Sequence, residues 1–198
     1  MKPLLIVTFL IINFGLISAQ SSISAGLLTV STHPFSDQNL ILHQNTLDNK
    51  GFVSLEPGLI LFYDRYLINK LSFRATTAVM NDRFNLLSGY SQLLLKYKLF
   101  KYFKHSLYIG IGSAVFYDTN KTSIDNFVNE DNYKIVDNTM YKIGWLSGMV
   151  EYNYYLSKKV DLAITLNHTH SRSAALSFGV RVDIPDPNGK GCDCPSFR

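Results

Sequence analysis

From Leu176 to Ile184 the chain reads Leu-Ser-Phe-Gly-Val-Arg-Val-Asp-Ile, with large apolar side chains at every second position and a serine, a glycine and two opposite charges between them. Successive side chains of a strand point to opposite faces, so this period of two makes one apolar and one polar face. Comparable runs fall at 23–32, 52–66, 70–80, 89–100, 105–117, 140–156 and 159–168, and the last at 174–184. Eight runs of ten residues or more predict long strands and an all-β chain. Soluble sheets usually have strands of ~5 to 6 residues.

The connections alternate in kind. Tight turns follow the second, fourth and sixth runs, through 67–69, 101–104 and 157–158; longer segments follow the first, third and fifth, through 33–51, 81–88 and 118–139. The last connection, 169–173, is short for its side. Short turns at one end and long loops at the other are the habit of outer-membrane barrels, whose short turns face the periplasm. The expectation is an eight-stranded antiparallel up-and-down transmembrane β-barrel.

Alternation alone does not separate such a barrel from a secreted soluble barrel that keeps its apolar side chains inside around an apolar ligand. The residues on the polar face favour lipid outside. In the fifth run Leu107, Ile109, Ile111, Val115 and Tyr117 share one face, and Tyr108, Gly110, Gly112, Ala114 and Phe116 the other. In the eighth, Ala175, Ser177, Gly179, Arg181 and Asp183 share the polar face. A water-facing side would be rich in Lys and Glu, with little reason for glycine, which weakens a strand. A crowded barrel interior has reason for it, because small residues make room for long ones opposite.

Those long side chains are Glu56, Asp64, Arg74, Lys96, Lys98, Glu151 and Asp161, joined by Asn153; with Arg181 and Asp183 the interior would hold four bases and five acids. Near-balance is what buried charge requires, and it predicts a plugged polar interior with a salt-bridge network rather than an open pore. Tyr63, Tyr97, Tyr152 and Tyr154 fall near run ends on the apolar face, where interfacial girdles sit. The sixth run changes parity between Lys142 and Glu151, which predicts a bulge near Gly148.

The start of the chain fits export. Lys2 precedes an apolar run from Leu4 to Leu16, and Ile17-Ser18-Ala19 leads to Gln20, so residues 1–19 read as a secretory signal of the Sec pathway, too short for a spanning helix. Residues 20–184 then make the barrel, and 185–198, with prolines, glycines and Cys192-Asp193-Cys194, a flexible periplasmic tail. The charged fraction of 17% is low beside the ~25% typical of soluble domains. A formal net charge of +4, without clustered bases and aromatics, gives no nucleic-acid partner. Cys192 and Cys194 are a candidate local disulfide or half of a metal site; no cofactor is expected.

Candidate chemistry sits at the outer rim. His33 ends the first strand, and His168, His170, Ser171 and Ser173 surround the last loop; first and last strands are neighbours in a closed barrel. Histidine with serine near the outer leaflet is material for acyl transfer to or from lipid. The size is similar to that of lipid A deacylases and palmitoyltransferases, yet His168 and His170 are followed two places on by His170 and Arg172 rather than by the serine of the deacylase pattern. These five residues therefore stand only as weak catalytic candidates.

Short motifs add a resemblance. Ser31-Thr32-His33-Pro34-Phe35, Glu56-Pro57-Gly58-Leu59, His105-Ser106-Leu107, Gly110-Ile111-Gly112 and Glu151-Tyr152-Asn153-Tyr154-Tyr155-Leu156 resemble small outer-membrane barrels of Bacteroidota. The resemblance implies fold and compartment, the bacterial outer membrane, and carries over no catalytic residue. The expected role is structural or binding, through loops 33–51 and 118–139. Outer-membrane lipid and an extracellular ligand are the expected partners, and the expected state is a monomer. An acyl hydrolase or transferase acting on lipid A is the alternative.

Overall fold

Alternation along the chain becomes pairing between strands. The computed structural model describes residues 20–33, 39, 42–68, 70–129, 133–169 and 173–184. Strands β1 (Ser21–Thr32), β2 (Val53–Ile68), β3 (Leu71–Asn81), β4 (Leu87–Tyr102) and β5 (His105–Thr119) come first. A three-residue β6 (Lys134–Val136) precedes β7 (Thr139–Tyr155), β8 (Val160–Thr169) and β9 (Ser173–Ile184). Each long strand pairs antiparallel with its neighbour; β5 pairs with β7, and β1 with β9, so eight long strands close a barrel.

The apolar face is the outer one. In β9 Phe178 and Val180 are 46% and 43% exposed, whereas Ser177 and Arg181 on either side of the pair are buried. This reverses the arrangement of a soluble barrel with an apolar lumen. Toward the loop end, however, the interior is apolar: Leu28, Ile60, Phe62, Ala78, Tyr90 and Ala175 pack together, with Met80 and Phe116 against them. The interior is thus charged in the half toward the turns and apolar in the half toward the loops, where a polar interior was expected throughout. Large side chains on the polar parity of β2, β4 and β5 fill the lumen there.

Register and loop structure refine the picture further. The parity of β7 shifts within the expected stretch, at Trp145 and Leu146, which are both outward at 82% and 63% exposed and stand opposite the single residue Ser113. Gly148, two residues on, pairs in regular register with Ile111 and His168. A second shift lies in β1 between Leu28 and Val30, where Pro57 of β2, which has no N–H to give, faces the irregularity. The stretch 118–139 is no simple loop: β5 runs on to Thr119, and β6 returns on β7 through Asp137-Asn138, with Asp137 at a φ of 53° that aspartate tolerates better than most residues.

Inward glycines at the β1–β9 seam have a different cause from the one read in the sequence. Gly26 faces Gly179 across the pair, and a Cβ on Gly179 would lie 2.5 Å from the Ala25 carbonyl oxygen. The partner backbone, rather than a long side chain opposite, leaves no room. Strongly coiled strands approach this closely only where Cβ is missing.

Candidate functional site

Inward positions on six strands converge in the half of the barrel toward the turns. Asp64 on β2 and Arg74 on β3 are directly opposed in register. Arg74 Nε and Nη2 donate to the two Asp64 carboxylate oxygens at 2.6 and 2.5 Å, and Nη1 donates to Glu151 of β7. Lys96 Nζ, from β4, donates to Asp64 at 2.9 Å and to Glu151 at 2.6 Å. Asn153 and Thr165 donate to the same Glu151 carboxylate at 2.9 and 3.3 Å. On the other wall Arg181 reaches Asp161 at 2.5 Å, Asp183 at 3.6 Å and Glu151 at 3.8 Å.

Burial without pairing would be costly for any of these ions, and each cation here meets two or more carboxylates. The aromatic ring of Tyr108 lies beneath them, 4.3 Å from Lys96 Nζ and 5.7 Å from the Arg181 guanidinium carbon. Arg74, Lys96, Arg181, Asp64, Glu151, Asp161 and Asp183 thus form a continuous cluster. Lys98 and Glu56 stand outside it. Lys98 lies at its edge, 5.7 Å from the Tyr108 ring centre and without an ion pair among the described residues. Glu56 lies toward the loops and accepts from His33.

The rim candidates are brought to one end of three neighbouring strands but not to one face. Thr32 and His168 both pair with Ala174, so the outer ends of β1 and β8 flank β9. His33 is buried inside, where its Nε2 contacts Ser31 Oγ at 2.8 Å and Glu56 Oε1 at 3.2 Å. His168 is exposed on the outer face and its Nδ1 bonds the Ser173 carbonyl at 3.1 Å. In the Ser31, His33 and Glu56 group one ring nitrogen faces both partners, whereas a proton relay uses both nitrogens. His170, Ser171, Cys192 and Cys194 lie outside the described residues. Among the described residues no group of three or more His, Cys, Asp and Glu side chains is placed to hold a metal ion.

Above the apolar layer the outer loops lock onto one another, an arrangement the sequence reading missed. Asn39 makes a pair of bonds with the Val128 backbone, donating at 2.9 Å and accepting at 2.8 Å. The Gln44 N–H donates to the Arg83 carbonyl at 2.9 Å. Phe84 stands edge-on to His43 and to Phe127, with centroids 5.1 and 5.9 Å away. Lys121, almost fully buried, lies 4.5 Å from the Phe84 ring centre and pairs with both Asp82 and Asp118. Asp82 also accepts the Phe84 and Leu86 N–H groups at 2.9 and 2.8 Å, which fixes the short β3–β4 loop. Farther out, the half-buried Asp48 accepts the Val53 N–H at 2.8 Å, and that bond holds its carboxyl below the usual carboxylate value.

A signal for part of this cap was present: an aspartate closing a strand, followed by Arg-Phe-Asn, is a turn former. No local pattern announces Lys121 or Asn39 as partners of segments 39 and 89 residues away.

No protein-family model matches the chain, and no curated protein matches it. Solved structures do. Neisserial surface protein A aligns with a TM-score of 0.54 and 13% identity over 83% of this chain and 97% of that one. The fold is that of small outer-membrane β-barrels. Ail, the attachment invasion locus protein of Yersinia pestis, aligns with a TM-score of 0.51 at 12% identity, over 85% of this chain and 100% of that one. A second Ail structure, in complex with the heparin analogue sucrose octasulfate, aligns with a TM-score of 0.50, again at 12% identity. At such identities the likeness carries architecture and no residue role.

Proposed function

We propose that the chain is an integral, monomeric protein of the bacterial outer membrane that is exported through the Sec pathway and binds an extracellular partner through its interlocked loops. The observation that carries this reading is the cap. Residues from three separate loops, Asn39 with Val128, Gln44 with Arg83, and Phe84 with His43, Phe127 and Lys121, make one continuous outer surface. A barrel needed only as a wall gains nothing from fixing its loops against each other, whereas a binding face gains pre-organisation. The barrel below supports a role without a pore, since ionic and apolar layers both fill the lumen. Kinship with Bacteroidota barrels rests on the short motifs alone.

Fractionation with heat-modifiable gel mobility tests the membrane half of the reading. The expected result is recovery with outer membranes and a folded band that shifts on boiling; recovery in the soluble periplasm without detergent overturns it. An epitope inserted after Asn126 tests the surface half. It is expected to be accessible to antibody on intact cells, and protection there would reverse the orientation.

A further inference from the structure

The turn end of the barrel is cationic and amphipathic. Three hairpin turns meet there. The Lys98 N–H donates to the Lys70 carbonyl, the Tyr155 N–H to the Lys104 carbonyl and the Asp183 N–H to the Lys159 carbonyl, each at 2.8 Å, which places the β2–β3, β4–β5 and β7–β8 turns on one rim. Lys101 and Lys104 lie 5.0 and 6.0 Å from the rings of Tyr155 and Tyr154. Lys70, Lys104, Lys158 and Lys159 make no ion pair among the described residues. The acids of this end, Asp161 and Asp183, are turned inward onto Arg181. Among the described residues this leaves Lys70, Lys104, Lys158 and Lys159 exposed and without a carboxylate partner.

A second observation points to a lipid rather than a soluble anion. Tyr102 and Phe103, 67% and 69% exposed, stand edge to face at 4.6 Å at the tip of the β4–β5 hairpin. Phe103 adopts a φ of 48°. Such a turn position ordinarily belongs to glycine or asparagine, and a bulky residue held there carries strain. Its ring projects outward, so neither backbone ease nor core packing accounts for phenylalanine. Next to it come the last lipid-facing aromatics, Tyr152 opposite Leu107 and Tyr154 opposite His105. Lysines just beyond an aromatic row stand at headgroup depth, with apolar stems along the acyl boundary and ammonium groups in the phosphate layer.

We propose that this rim is a docking surface for the headgroups of anionic glycerophospholipid in the periplasmic leaflet. Lys70, Lys104, Lys158 and Lys159 contact the phosphates, and Tyr102 and Phe103 anchor the chains. The assignment rests on the orientation proposed above.

The test uses the whole chain, purified in detergent micelles and exposed to phosphatidylglycerol or phosphatidylcholine, with retained lipid counted by native mass spectrometry. Wild type is expected to retain phosphatidylglycerol preferentially, by about fivefold for each lysine engaged at an anionic surface. Lys158→Gln with Lys159→Gln, on an exposed turn remote from wall packing, should lose a large part of that preference; adding Lys70→Gln and Lys104→Gln should abolish it. Arginine at all four positions should restore it, and Phe103→Gly should weaken retention of both lipids. Equal retention of the two lipids by wild type, or an undiminished preference in the glutamine variants, overturns the proposal. Competition by free glycerol phosphate as effective as that by lipid would make the site one for a soluble anion, also against it. Ser157→Cys separates the underlying reading: labelling by an impermeant maleimide on intact cells would put this rim outside, whatever its lipid preference.

Discussion

Two clusters of charge in this barrel, one in the lumen and one under the loops, are built to opposite ends. In the lumen Arg74, Lys96 and Arg181 are wholly surrounded, and their partners come from β2, β7, β8 and β9. Under the loops Lys121 joins Asp82 to Asp118 and lies against Phe84. The lumen cluster ties strand to strand, and removing one member leaves buried charges short of a partner. The loop cluster ties loop to wall, and water can reach its members if it opens. The same chemistry therefore serves the integrity of the barrel in one place and the order of a surface in the other.

The contrast is broken most severely at Arg74. Arg74→Ala leaves Asp64 and Glu151 short of their bidentate partner, and the loss of one member of a buried ionic cluster is expected to cost about 3–5 kcal/mol. Denaturant unfolding in micelles, followed by gel mobility, measures it; a loss below about 1 kcal/mol would mean that the lumen charges hold the wall no better than surface pairs do. Lys121→Met sharpens the other side. It is expected to cost about 1–3 kcal/mol, confined to the cap, for the unmet carboxylates. Proteolysis in 120–129 should accelerate while the folded band keeps its melting behaviour.

Asp48 gives the smallest effect. Its folded value is depressed, so the tie to Val53 is fully present above the ordinary carboxylate value and is lost as pH falls through the folded one. Amide-exchange protection at Val53 should fall on acidification, and Asp48→Asn should remove that dependence without affecting the barrel.

Most of the wall was legible in the sequence. Strand positions, the antiparallel order and the outward side of Phe178 and Val180 followed from a local period of two, which backbone geometry imposes residue by residue. Inward placement of Asp64, Arg74, Lys96, Glu151, Asp161 and Arg181 followed from the same count. Which of them touch did not, since shear and bulges set the relative heights of strands and leave Lys98 and Glu56 apart. His33 follows the end of β1, where the parity shift between Leu28 and Val30 brings it inside with Ser31, whereas His168 stays out.

The sequence by itself determined a two-faced strand repeated eight times, with tight turns and long loops at alternate ends, because side-chain alternation and turn chemistry act over a few residues. Tertiary structure alone decided where the register breaks, how the lumen divides into ionic and apolar layers, and that the loops close into one cap. Those outcomes depend on contacts between segments far apart in the chain, such as Asn39 with Val128 and Lys96 with Glu151, and no local pattern encodes which distant segment will arrive.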